Sequence, residues 1–214
     1  MQLVYNNEHL GISTTNRSTV ILSNILIAGD SFAVDWSKWQ DIPYKGWPNL
    51  VASLHSVENV SQDGVGQYKI WKQIQDLDLS IYDKIIVSVA SYWRMYCQSH
   101  PIHATGRYMH SDLMLMDIDR FSLFNSKLRT AKGMFKYYYD EEYLKDSYDM
   151  ITDLIREKLQ GSNFILIGHT GTRTTHQDVV DFSKLWAKER GLVNHYTQKG
   201  NEDIFNYLQS FLRK

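Results

Sequence analysis

Apolar residues in this chain fall into two patterns that alternate along its length. Short unbroken runs form the first: Ile25-Leu26-Ile27-Ala28, Lys84-Ile85-Ile86-Val87-Ser88-Val89-Ala90 and Phe164-Ile165-Leu166-Ile167-Gly168. They are rich in β-branched residues and end at turn formers, as buried strands do. The first is expected over about 20–29, and two shorter strands over 56–61 and 179–182. The second pattern repeats every three or four residues. Leu50, Val51 and Leu54 follow Trp47-Pro48, where proline suits a first helical turn. Residues 67–79 put Ile70, Trp71, Ile74 and Leu77 on one face. Asp112 reads as the cap of a helix with Met114, Ile118, Phe121 and Leu128 inward. A second long helix should start near Asp140, with Glu141 and Glu142 in its first turn and Gly161 at its end. Its inward face is Leu144, Tyr148, Ile151, Leu154 or Ile155, and Leu159. A last helix carries Ile204, Phe205, Leu208, Phe211 and Leu212.

Strands alternating with helices imply a parallel sheet covered on both faces. The expectation is one α/β domain over residues 1–214, a three-layer α/β/α sandwich with five parallel strands. Residues 1–19 form a polar arm, and 92–160 a helical insertion between strands three and four. No internal repeat, low-complexity stretch or long linker divides the chain. In this architecture ligands sit at the carboxyl ends of the strands. That edge gathers Ser31 on its Gly29-Asp30-Ser31 turn, Gly64, Ser91-Tyr92-Trp93-Arg94, and His169. The loop before the last helix adds His195.

Composition narrows the classes of function. A formal charge of -1 and scattered Lys and Arg give no basic patch for nucleic acid or an anionic membrane. Cys97 is the single cysteine, so neither an intrachain disulfide nor a Cys-rich zinc site is expected. The N-terminus has no basic segment followed by an apolar core and cleavage site, and no apolar run is long enough to span a bilayer. A soluble cytoplasmic protein is the default. The Gly64-x-Gly66 pair lacks the third glycine of a dinucleotide fingerprint. His100, His103 and His110 match no metal-ligand spacing, so no metal and no cofactor is expected.

A serine on a glycine turn needs a base, and histidine is the side chain whose pKa suits that task near neutrality. The oxyanion that then forms needs preorganised donors, which a glycine-lined turn can supply. The order of these parts resembles the SGNH or GDSL hydrolases, serine esterases on a flavodoxin-like fold. Gly29-Asp30-Ser31 is similar to their nucleophile turn. Asn59-Val60-Ser61-Gln62-Asp63-Gly64 is similar to the segment whose glycine donates to the oxyanion. His195-Tyr196-Thr197-Gln198-Lys199-Gly200 is similar to the run that carries their histidine. The likeness spans about residue 22 to the C-terminus.

That resemblance implies Ser31 and His195 as the catalytic pair, with Gly64 in the oxyanion site. Two of the family's residues are absent. Its asparagine after strand three is replaced within Ala90-Ser91-Tyr92-Trp93, leaving Arg94, Tyr92 or Ser91 as substitutes, Arg94 first because it carries charge and several donors. The aspartate three residues before its histidine is Leu192 here, so the triad shrinks to a dyad unless a backbone carbonyl or a carboxylate such as Asp178 or Asp181 reaches His195. Asp30 and His169 are further candidates for the site. Trp36, Trp39, Tyr92 and Trp93 are candidates to stack on a sugar ring or to pack a lid.

The expected function is cleavage of an ester, a carbohydrate O-acyl group being one substrate. The alternatives are a silent binding protein of the same fold and an O-acyltransferase using the same residues. A nucleotide-binding protein ranks last, because the glycine turns lack phosphate-loop chemistry.

Overall fold

The computed structural model describes residues 23–36, 42–101, 103, 105–114, 125–170 and 176–214. Five strands form one sheet: β1 (Asn24–Gly29), β2 (Ser56–Asn59), β3 (Lys84–Val89), β4 (Phe164–Gly168) and β5 (Val179–Asp181). Their order is β2-β1-β3-β4-β5, and every neighbouring pair is parallel. This is the flavodoxin-like order, which places a topological switch point between β1 and β3.

Side chains alternate across the central strands, so each face has its own apolar layer. Ile25 and Ile27 of β1, with Ile86 and Ile167, pack against helix α1 (Trp47–Ala52) and helix α6 (Gln198–Leu212) through Trp47, Val51, Ile204 and Leu208. The short helix α5 (Ser183–Lys188) adds Leu185 and Trp186 to this layer. Leu26, Ala28, Ile85 and Val87 face the other way. They meet Ile70 and Ile74 of helix α2 (Gln67–Ile74) and Ile155 and Leu159 of helix α4 (Glu141–Leu159). The three-layer α/β/α sandwich follows from these two layers.

Helix α4 begins where the sequence indicates, with the Asp140 carboxylate accepting from the amides of Glu142 and Tyr143. Its inward set includes Ile155, whereas Leu154 is exposed. Leu54 is also exposed, because α1 stops at Ala52.

The expectation for Asp112 is corrected. No helix starts there; Met95 and Leu113 instead pair in an isolated antiparallel bridge. Helix α3 runs over Ser126–Tyr138, capped by Asn125, and buries Leu128 and Ala131 against Leu113. Ile118 and Phe121 lie outside the described residues, as do residues 1–22 and Trp39. The competing use of Asp112 is long-range. Its Oδ2 accepts from Gly66 N at 2.6 Å and its Oδ1 from Cys97 N at 3.1 Å, and Lys69 pairs with it at 2.7 Å.

Gly29 ends β1 at φ +152°, and a Cβ there would lie 2.5 Å from Ser88 Cβ and 2.7 Å from Ser88 O. Both obstacles belong to the neighbouring central strand, so neither can step aside cheaply. Gly29→Ala is therefore expected to lower stability by roughly 3 kcal/mol, combining overpacking with backbone strain. Urea denaturation would show this as a lower midpoint at unchanged slope.

Candidate functional site

The turn that carries Ser31 is fixed by bonds from three directions. The Gln73 amide brackets Gly29, accepting from its N at 2.8 Å and donating to its O at 3.0 Å. Asp30 Oδ1 accepts from Phe32 N at 3.1 Å and from Ser88 Oγ at 3.2 Å. Asn59 Nδ2 donates to Ala33 O at 2.8 Å, and Trp36 Nε1 donates to Ser31 O at 3.2 Å. Asn59 belongs to the segment singled out from sequence, and here it ties the end of β2 to the serine turn. Gln73 gave no signal in the sequence; it lies one turn beyond Lys69 on a helix whose apolar face was the visible feature.

His195 follows a short 3-10 turn, Leu192–Asn194, with Val193 at φ +52° and Asn194 at φ +61°. A left-handed conformation at a β-branched residue is an outlier, and such strain persists only where surrounding contacts impose it. Trp186 Nε1 donates to Asn194 O at 2.7 Å, and Arg190 Nε donates to Asn194 Oδ1 at 2.9 Å. The consequence appears at the ring: His195 Nδ1 lies 2.6 Å from Val193 O. A carbonyl only accepts, so Nδ1 carries the proton and Nε2 of the neutral ring keeps its lone pair. The group that meets Nδ1 is thus a backbone carbonyl and not a carboxylate. Leu192 is half exposed, Asp178 is taken by Arg156, and Asp181 accepts from Ser183.

The serine turn and the histidine meet. Phe32 and His195 have ring centroids 4.7 Å apart, and Trp36 stands edge-on to His195 at 5.1 Å. The Ser31 backbone is close enough to favour a proton on the ring. Burial nevertheless dominates and pushes the His195 pKa down to about 4, with the Arg94 and Arg107 charges acting the same way and the Val193 bond opposing. Ser31 and His195 are only 7% and 6% exposed.

Gly64 sits at φ +68°, and a Cβ there would come within 2.6 Å of Ser111 Oγ and 2.8 Å of Ser111 Cβ. Its carbonyl accepts from Asp112 N and from Arg94 Nη1, both at 2.9 Å. Arg94 is thus anchored on the glycine loop while its charge is felt at Asp30 and His195. Burial raises the Asp30 pKa to about 6 against the opposing pull of Arg94 and of the bonds from Phe32 and Ser88. Tyr92 is placed differently. Its hydroxyl donates to Glu141 Oε1 at 3.0 Å, which commits it to α4.

His169 lies in the apolar layer behind the turn. It is 1% exposed, stacks on Phe32 at 4.7 Å, and has Nδ1 3.0 Å from the Tyr196 hydroxyl. Burial lowers its pKa to about 3, with the neighbouring His195 adding to the effect. Trp36 is fully buried against His195, so it packs the site and offers no face to a sugar; Trp93 remains exposed. His100 and His103 pack ring to ring at 4.5 Å, and among the described residues no group of three or more His, Cys, Asp or Glu side chains is arranged to hold a metal ion. Among them, too, no helix is long and apolar enough to cross a membrane.

Two cavities flank this centre, and neither is lined by Ser31 or His195. One, of about 580 Å³, runs beside β2 and the 106–110 loop, with Asn59, Gln62, Asp63, Arg107 and His110 in its wall. The other, of about 500 Å³, lies between α2, α4 and the segment after β3.

No protein-family model matches this chain, and no curated protein matches it. Among solved structures it is similar to a Bacteroides uniformis protein provisionally named a GDSL-like lipase, solved at 1.90 Å. The match has 12% sequence identity and a TM-score of 0.40, covering 88% of this chain and 95% of that one.

Proposed function

We propose that this protein hydrolyses an ester with a Ser31–His195 dyad. The observation that carries the proposal is the His195 ring, held by the Val193 carbonyl and packed against Phe32 and Trp36 of the serine turn. With Nδ1 protonated, Nε2 is the atom left to accept the Ser31 proton as Oγ attacks the acyl carbon. The same proton then passes to the departing alcohol, and water repeats the sequence to free the acid. The amides of Ser31 and Gly64 would receive the oxyanion, with Arg94 as the charged third donor.

The alcohol side of the substrate is assigned to a sugar. The β2-side cavity is walled by amide, carboxylate, guanidinium and imidazole groups, which suit several hydroxyls at once. Its Arg107 lies near enough to influence His195. One reading competes: a silent member of the fold is favoured by the low exposure of both dyad residues and by Leu192 standing where a carboxylate would. A fluorophosphonate probe separates the two. Mass spectrometry should find the adduct on Ser31, and an unlabelled protein would sink the dyad.

Arg94→Met tests the third donor. The expected result is a fall in kcat of about 10²–10³ with little change in KM, the behaviour of a group that acts on the transition state. Because Arg94 also holds Gly64 O, Arg94→Lys should recover part of the rate if charge is what matters.

A further inference from the structure

We propose that the cavity between α2 and α4 receives the acyl half of the substrate, and that this group is aromatic. The proposal rests on the hydrolase reading above and adds a substrate class to it. The cavity's volume of about 500 Å³ falls in the range of small-molecule sites. Its place in the fold connects it to the chemistry. Arg94 and Ser91 belong to its wall, and Ser91 lies two residues past the end of β3, the strand that runs beside β1. Arg94 therefore touches both regions, anchored to Gly64 at one and lining the cavity at the other.

Five tyrosines line it: Tyr68, Tyr92, Tyr96, Tyr143 and Tyr148. They come from three separate parts of the chain, and Leu144 and Ile151 of α4 join them. Several rings already meet in edge-to-face pairs, Tyr68 with Tyr96 at 5.2 Å and Tyr92 with Trp93 at 5.4 Å. A planar ring entering such a wall gains the same edge and offset contacts, whereas an alkyl chain gains only area. Tyr68, Tyr96 and Tyr143 remain substantially exposed, an uncommon state for large aromatic side chains clustered in one place.

The wall also departs from what an alkyl pocket requires. Arg94 Nε and Ser147 Oγ are buried there with no hydrogen-bond partner among the described residues. Unsatisfied polar groups under an apolar surface are costly, and a guest with an oxygen on a flat apolar body would relieve them after a small side-chain turn. An aryl acid carrying a ring hydroxyl or methoxyl group has that composition. A saturated acyl chain does not.

Three 4-nitrophenyl esters with one leaving group provide the test: acetate, hexanoate and cinnamate. The wild type should prefer cinnamate to hexanoate in kcat/KM by about tenfold or more, the scale on which pockets discriminate. Ser147→Trp, which fills the wall, should bring that ratio close to one, and Leu144→Trp should do the same should the first variant fail to fold. Saturation-transfer NMR with the cinnamate anion supplies a readout independent of turnover. Signal is expected with both wild type and Ser31→Ala, and its loss with the pocket-filling variant. Cinnamate binding that Ser147→Trp abolishes, with no ester hydrolysed, would keep the pocket and overturn the hydrolase reading. Hydrolysis with an unaltered ratio and no transfer signal, or a preference for hexanoate, would overturn the aryl pocket and leave the dyad standing.

Discussion

His195→Ala should lower kcat/KM for 4-nitrophenyl acetate by roughly four to six orders of magnitude, the range of losses seen when a member of a serine mechanism's catalytic set is removed. That corresponds to about 5–8 kcal/mol of transition-state stabilisation. The size follows from the lack of a substitute. His169 is sequestered behind Phe32, and the carboxylates of Asp178 and Asp181 are engaged elsewhere. The wild-type pH profile gives a second check. Proton abstraction needs neutral His195, whose pKa is pushed down to about 4 by burial. The kcat/KM plateau should thus extend below pH 6, and its acid limb should fall well under the ordinary histidine value of about 6.5. A limb at 6.5 that survives His195→Ala would assign the turnover to another group.

Much of the scaffold was legible because its signals are local. The run Ile25-Leu26-Ile27-Ala28 and the run at Lys84–Val89 are apolar on both faces, which only a covered parallel strand requires. Asp140 with Glu141 and Glu142 marked the start of α4 by capping chemistry alone. Asp112 showed the opposite. Its acid-before-apolar pattern resembles a cap, yet its carboxylate serves Gly66, Cys97 and Lys69, partners 46, 15 and 43 positions away in the chain. No window of sequence contains those bonds.

The same distinction runs through the site. Ser31, Gly64 and His195 were visible as residue types at the ends of elements, because glycine turns and a pre-helical histidine are local features. What orients them was not. Val193 acts through its carbonyl, which every residue possesses, and its left-handed backbone is one that a valine gives no reason to expect. The sequence offered both Tyr92 and Arg94 and ranked Arg94 first for its charge and donors, but only the fold shows that two residues of separation in an irregular segment send one to Glu141 and the other to Gly64. Side-chain direction at that point is set by tertiary contacts, so residue type could nominate Arg94 only by its charge and donors.

Stability should fall as the pH drops from about 6.5 towards 4, and His169 should be a principal cause. Its folded pKa of about 3 lies far below the unfolded value, as does that of His195 at about 4. A histidine with a depressed folded pKa is protonated first in the unfolded chain, so each proton bound below pH 6.5 favours unfolding. By pH 5 each ring costs about 2 kcal/mol relative to pH 7.5. Asp30 works in the reverse direction. Its folded pKa of about 6 means that the native state takes up its proton first, which returns about 1 kcal/mol by pH 5. The balance is a net loss of roughly 2–3 kcal/mol, with both histidines outweighing the one carboxyl. Two variants separate these contributions in urea denaturation at pH 5 and pH 7.5. His169→Phe keeps the stacking on Phe32 and should cut the drop between the two pH values by about 2 kcal/mol. Asp30→Asn should deepen it by about 1 kcal/mol, because it removes the group that gains a proton on folding. An unchanged pH slope in His169→Phe would show that the ring titrates normally, and that the aromatic layer behind Ser31 opens to water.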